Sequence, residues 1–97
     1  MRFEALRQMK DLNAGVAALQ QARASMDTSW PEAGLAAANF SKGLLQRFGV
    51  TRAPEDLDAA IDSAREALAL LPTGSPERVS VSGDYQQALL ELSLIHI

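Results

Sequence analysis

The sequence predicts an all-α fold, a short α-solenoid of stacked antiparallel helix pairs. Three observations predict it. Alanine and leucine dominate the apolar residues while aromatics are only 5 %, a composition that favours helices over sheets. Apolar residues recur at three- and four-residue spacing along most of the 97-residue chain. The chain also repeats itself with a 45-residue period. Laid without gaps over residues 47–91, residues 2–46 are identical at thirteen of 45 positions. About four matches would arise by chance at this composition. The identities include Arg2/Arg47, Phe3/Phe48, Asp11/Asp56, Leu12/Leu57, Pro31/Pro76, Glu32/Glu77, Leu44/Leu89 and Leu45/Leu90, none of which is an alanine.

Helices are expected over about 10–26, 31–48, 54–71 and 76–91, so 1–91 is read as two tandem repeats, 2–46 and 47–91. The second repeat is the clearer. Pro54 suits a first helical position, where its missing N–H costs nothing, and Glu55 and Asp56 complement the positive end of the helix dipole. Leu57, Ile61, Ala64, Leu68 and Leu71 then form one apolar stripe. Asp58, Asp62 and Glu66 take the other side, with Arg52 and Arg65 as expected counter-charges. Pro72 ends the helix, and Ser75-Pro76-Glu77 reads as N-cap, first position and first turn of the next.

The first repeat offers a parallel stripe at Leu12, Val16, Leu19 and Met26, then Trp30-Pro31-Glu32, with Trp30 expected to pack as a hydrophobic staple. Residues 1–8 correspond to the end of the 31–48 helix and the loop after it. Val79-Ser80-Val81-Ser82 alternates like a strand, but it is too short to found a sheet and is read as helix. Gly49 and Gly74 are expected to terminate helices, and Gly43 and Gly83 to permit close helix approach or to weaken their helices.

The residues 47–78 resemble a known pattern. Arg47-Phe48, Asp56-Leu57-Asp58-Ala59-Ala60-Ile61, Arg65-Glu66-Ala67-Leu68-Ala69-Leu70, Pro72, Gly74 and Pro76 are similar to the tetratricopeptide-type arrays that precede CHAT domains, which are caspase-like proteases. The resemblance covers 2–91, and the first copy departs from it where Gly15 replaces an alanine and Gln20-Gln21 replace the Arg-Glu pair. It implies a helical interaction scaffold, with any protease residing in a separate downstream domain. The last six residues, Leu92-Ser93-Leu94-Ile95-His96-Ile97, are the in-frame translation of the adaptor end of a transposase sequencing kit. The repeat breaks at the same place, because Leu92-Ser93 stands where Arg-Phe is expected. Residues 92–97 are therefore expected to be non-native, extending the last helix with Leu94, Ile95 and Ile97 exposed.

Composition narrows the chemistry. A net charge of −3 disfavours nucleic acid and anionic membrane as partners. The chain has no cysteine and one histidine, His96, so thiolate, zinc–thiolate and Ser–His–Asp chemistry lack their residues. No targeting signal or spanning stretch is visible, and the chain is expected to be cytoplasmic, with no enzyme activity, cofactor or metal. The expected function is a protein or peptide scaffold. The first helix of an inner pair, 31–48 with its equivalent 76–91, carries a polar stripe: Asn39, Lys42 and Gln46, then Asp84, Gln87 and Glu91. The other reading is a structural segment that self-associates through exposed repeat ends.

Overall fold

The computed structural model describes residues 2–95, with side chains from Leu6 onward. It contains four helices in chain order: α1 (Arg2–Ala24), α2 (Ala33–Thr51), α3 (Pro54–Leu70) and α4 (Pro76–Ile95). No strand occurs among the described residues, and Val79–Ser82 is helical. Each helix packs on the next, and α2 also touches α4. The shape is a slab of 43 × 33 × 20 Å, whose short axis is about two helix diameters.

The apolar stripe of α3 is the centre of the molecule. Leu57, Ala60, Ile61, Ala64 and Ala67 are all at most 5 % exposed. Three adjoining clusters share it. Phe48, Leu57, Ile61 and Ala88 form one, with Leu45, Tyr85 and Leu92 against it. Ala37, Ala38, Ala64, Ala67, Leu71 and Val81 form the second. Val16, Leu44 and Ala60 form the third, which is where α1 joins.

Small side chains let α2 and α3 approach closely, and two buried serines exploit the approach. The Ser41 hydroxyl donates to the Ala60 carbonyl at 2.9 Å, and the Ser63 hydroxyl donates to the Ala37 carbonyl at 2.8 Å. The two bonds cross the same interface in opposite directions, so neither hydroxyl is buried without a partner.

Two glycines mark close contacts. A Cβ on Gly34 would lie 3.0 Å from the Leu71 backbone nitrogen, and one on Gly43 would lie 2.7 Å from Leu19 Cδ1. Gly43 thus permits close approach of α1 and α2, as expected. Gly83 has open space around it and serves no contact.

Several boundaries differ from those expected. α1 starts at Arg2 and runs without a break through residue 8, where the end of a helix and a loop were expected. The equivalent corner between α2 and α3 is made by Arg52, in the left-handed region at φ 58°, and Ala53-Pro54. The first copy has Gln8-Met9 in place of Ala53-Pro54, so nothing there removes a helical hydrogen bond and the helix runs through. Gly49 does not terminate α2, which continues two residues to Thr51; the left-handed cap residue is Arg52. Gly74, at φ +87°, does occupy a turn conformation that suits glycine.

At the other end, α2 begins at Ala33, because Trp30-Pro31-Glu32 is spent in turns. In one of these the Trp30 N–H donates to Asp27 O at 2.9 Å. The Asp27 carboxylate also accepts from the Ser29 N–H at 2.9 Å, which holds its pKa below the usual value. Trp30 is 51 % exposed and staples nothing firmly. Ser75 does not cap α4 with its side chain, since its buried hydroxyl has no hydrogen-bond partner. Arg78 instead caps α3, donating to the carbonyls of Leu68 and, at 3.1 Å, Leu71.

A candidate binding groove between α2 and α4

The polar stripes of α2 and α4 meet. Lys42 and Gln46 from α2 and Asp84, Gln87 and Glu91 from α4 line one groove of about 410 Å³. Its floor is Leu45, Phe48 and Gly49, and Arg52 closes one end. Five of the six residues expected from the repeat are therefore brought together. The sixth, Asn39, lies one turn earlier and lines a smaller adjoining cleft of about 60 Å³ with Leu35, Glu77, Ser80 and Val81. Lys42 borders both cavities.

The convergence follows from the helical period. Positions 39, 42 and 46 fall on one face of α2, and 84, 87 and 91 fall on the equivalent face of α4. Because α2 and α4 both lie on α3, and Phe48 and Ala88 share a cluster on Leu57 and Ile61, the two faces are held side by side.

Several groups in the groove are already paired. Lys42 Nζ donates to Ser80 Oγ at 2.8 Å. Arg52 donates to Glu91 Oε2 at 3.1 Å, and Gln87 Nε2 donates to Glu91 Oε1 at 3.4 Å. The Arg52 guanidinium also stands over the Phe48 ring, 4.5 Å from its centroid. Asp84 is the exception. Its Oδ2 is buried without a hydrogen-bond donor, an arrangement with a desolvation cost of about 1–3 kcal/mol or more for a charged group. The groove thus offers an apolar floor with amide and charged groups on its rim.

Sequence reasoning missed Leu45, Phe48 and Arg52 as parts of this surface. The signal for Arg52 was its neighbour Pro54, which forces a corner and puts residue 52 at the mouth of the groove. Of the counter-charges expected on the acidic face of α3, Arg65 does interact with Asp62, whereas Arg52 is turned elsewhere. Arg52 pairs with Glu91, and Glu66 pairs with Arg23 of α1 through a two-bonded contact whose Nε–Oε1 distance is 2.7 Å. That contact raises the Arg23 pKa. Arg65 reaches the Tyr85 hydroxyl at 3.5 Å. Asp58 and Asp62 are exposed on the outer face.

Among the described residues, no three His, Cys, Asp or Glu side chains gather as a metal site would require. His96 lies outside the described residues. No helix of the described residues is long and apolar enough to cross a membrane. No family model, curated protein or solved structure matches the chain.

Proposed function

We propose that this chain is a non-catalytic scaffold that binds a segment of another protein in the groove between α2 and α4. The observation that carries the reading is the convergence of Lys42, Gln46, Asp84, Gln87 and Glu91 over an apolar floor. An extended or helical peptide would lay apolar side chains over Leu45 and meet the polar rim formed by Lys42, Gln46, Gln87 and Glu91. The mixed signs of Lys42, Arg52, Asp84 and Glu91 orient such a segment without the strong positive field that a nucleic acid needs.

The wider setting belongs to the same proposal. The 45-residue helix–turn–helix period and its resemblance to the arrays upstream of CHAT domains support a tetratricopeptide-like α-solenoid segment of a cytoplasmic protein. Any protease would then lie in a domain outside this chain, and this part would recruit its regulator or substrate.

The test is capture of partners with the full-length protein, comparing wild type with the triple change Asn39→Ala, Lys42→Glu and Asp84→Lys. The expected result is loss of the bound partner with helicity unchanged by circular dichroism. Retained binding by the triple variant overturns the assignment to this groove.

A further inference from the structure

A glycine stands on the α2 wall of the binding groove, and no packing contact accounts for it. Gly49 lies in the last turn of α2 and lines the groove. By the helical period it shares a face with Lys42 and Gln46. Glycine costs a helix conformational entropy. Two other glycines of α2 repay that cost in packing, because Leu71 crowds Gly34 and Leu19 crowds Gly43. Gly83 of α4 has nothing within 4 Å of an added Cβ, but it lines neither cavity between α2 and α4. Among these four, only Gly49 combines open space with a place in the groove. The far wall there is α4, through Asp84, Gln87 and Glu91, so the space belongs to the groove and not to an end of the array.

The backbone is open at the same point. The Arg52 N–H donates to the Phe48 carbonyl at 2.8 Å, the Ala53 N–H donates to the Thr51 hydroxyl at 3.2 Å, and Pro54 has no N–H. The carbonyls of Gly49 and Val50 therefore receive no N–H from the following turn. They form part of the negative end of the α2 dipole. The complement of that end is the positive end of a peptide N–H. A cationic side chain fits less well, because Arg52 already closes this end of the groove.

We propose that Gly49 admits the partner's main chain. An extended segment crosses α2 at this residue and donates one backbone N–H to the Gly49 carbonyl, while its side chains meet Leu45 and the polar rim. An extended segment is required because the N–H groups of a helix are spent within it. The inference rests on the groove reading above and adds what the partner presents at this point.

Peptides selected on the wild-type chain from a phage-displayed library of random dodecapeptides supply the probe. Those that the triple variant Asn39→Ala, Lys42→Glu, Asp84→Lys no longer binds are the groove's ligands. Gly49→Leu should bind them at least tenfold more weakly while its melting temperature stays the same or rises. Gly83→Ala should melt higher and bind as wild type does, which separates filling the groove from stiffening a helix. Methylating the peptide nitrogens one at a time should weaken binding to wild type at least tenfold at one position. Should Gly49→Leu lose helicity, Gly49→Ala carries the same test, since a Cβ there meets nothing within 4 Å. Binding by the Gly49 variant within twofold of wild type overturns the proposal and leaves the groove reading standing. So does a peptide whose every N-methyl form still binds. A library that yields no peptide sensitive to the triple variant overturns both.

Discussion

Arg47 clasps Asp56 across the corner between α2 and α3, its Nε and Nη2 donating to the two carboxylate oxygens at 3.0 and 2.8 Å. The Arg47 Nη1 also donates to Asn13 Oδ1 of α1 at 3.2 Å, so one side chain ties three helices. The pairing raises the Arg47 pKa. Both residues are repeated as Arg2 and Asp11, nine residues apart within the one continuous helix α1. The clasp of Arg47 on Asp56 spans the corner formed by Arg52, Ala53 and Pro54.

The first prediction concerns that clasp. Asp56 is 7 % exposed, whereas the Arg47 side chain keeps a quarter of its surface in water. Asp56→Ala should therefore destabilise by about 2–3 kcal/mol, at or below the about 3–5 kcal/mol of a fully buried broken pair. Asp11→Ala, its repeat counterpart on the exposed surface, should change stability by no more than about 0.5 kcal/mol. Paired denaturant titrations measure both.

How much of this was legible beforehand divides along one line: local patterns were readable, and packing partners were not. The α3 stripe at Leu57, Ile61, Ala64 and Leu71 could be read because helical period and burial coincide there. The first-copy stripe reads nearly as well on paper, yet Val16 is its one buried member, because α1 packs on α2 alone among the described residues. The reciprocal bonds of Ser41 and Ser63 were invisible, since each depends on which helix backbone lies opposite. The corner at Arg52 was placed three residues early, at Gly49, because glycine is the usual left-handed residue and arginine an uncommon one. The groove residues were legible as a set because the repeat supplied two equivalent faces, but which of them pair with each other was not.

The repeat also permits a matched comparison of core truncations. Leu57 is fully buried, and its counterpart Leu12 lines the open groove of α1. Leu57→Ala should cost about 2–5 kcal/mol and can abolish the cooperative melt of so small a domain. Leu12→Ala should cost about 1 kcal/mol or less, because water already reaches that site. Equal losses at the two positions would mean that α1 is as firmly covered as α3.

A gain of stability is expected at Gly83. It sits inside α4 with nothing within 4 Å of an added Cβ. Gly83→Ala should stabilise by about 0.5–1 kcal/mol through helix propensity alone. Gly43→Ala makes the contrast, since its Cβ would press on Leu19 Cδ1 at 2.7 Å. Leu19 is only half-buried and can shift, so the propensity gain there should be largely cancelled. Thermal melts of the two variants, run side by side, separate a packing glycine from an idle one.

The final prediction separates the residues of the expected foreign tail. Leu94 and Ile95 continue α4 and stand 59 % and 41 % exposed, as the sequence led one to expect; Ile97 lies outside the described residues. Leu92 behaves differently. It packs on the cluster of Phe48, Leu57, Ile61 and Ala88, so a residue outside the repeat pattern nevertheless covers the core. Ending the chain after Leu92 should leave the melting temperature nearly unchanged and raise solubility, because it removes exposed apolar surface and no core contact. Ending it after Glu91 should cost about 1–2 kcal/mol more, the value of a half-buried leucine. It would also bare Phe48 at the floor of the candidate binding groove. The measurement is a melt and a salt-precipitation curve for the two truncations. If both melt alike, Leu92 contributes no net burial, and the core of this repeat ends at Ala88.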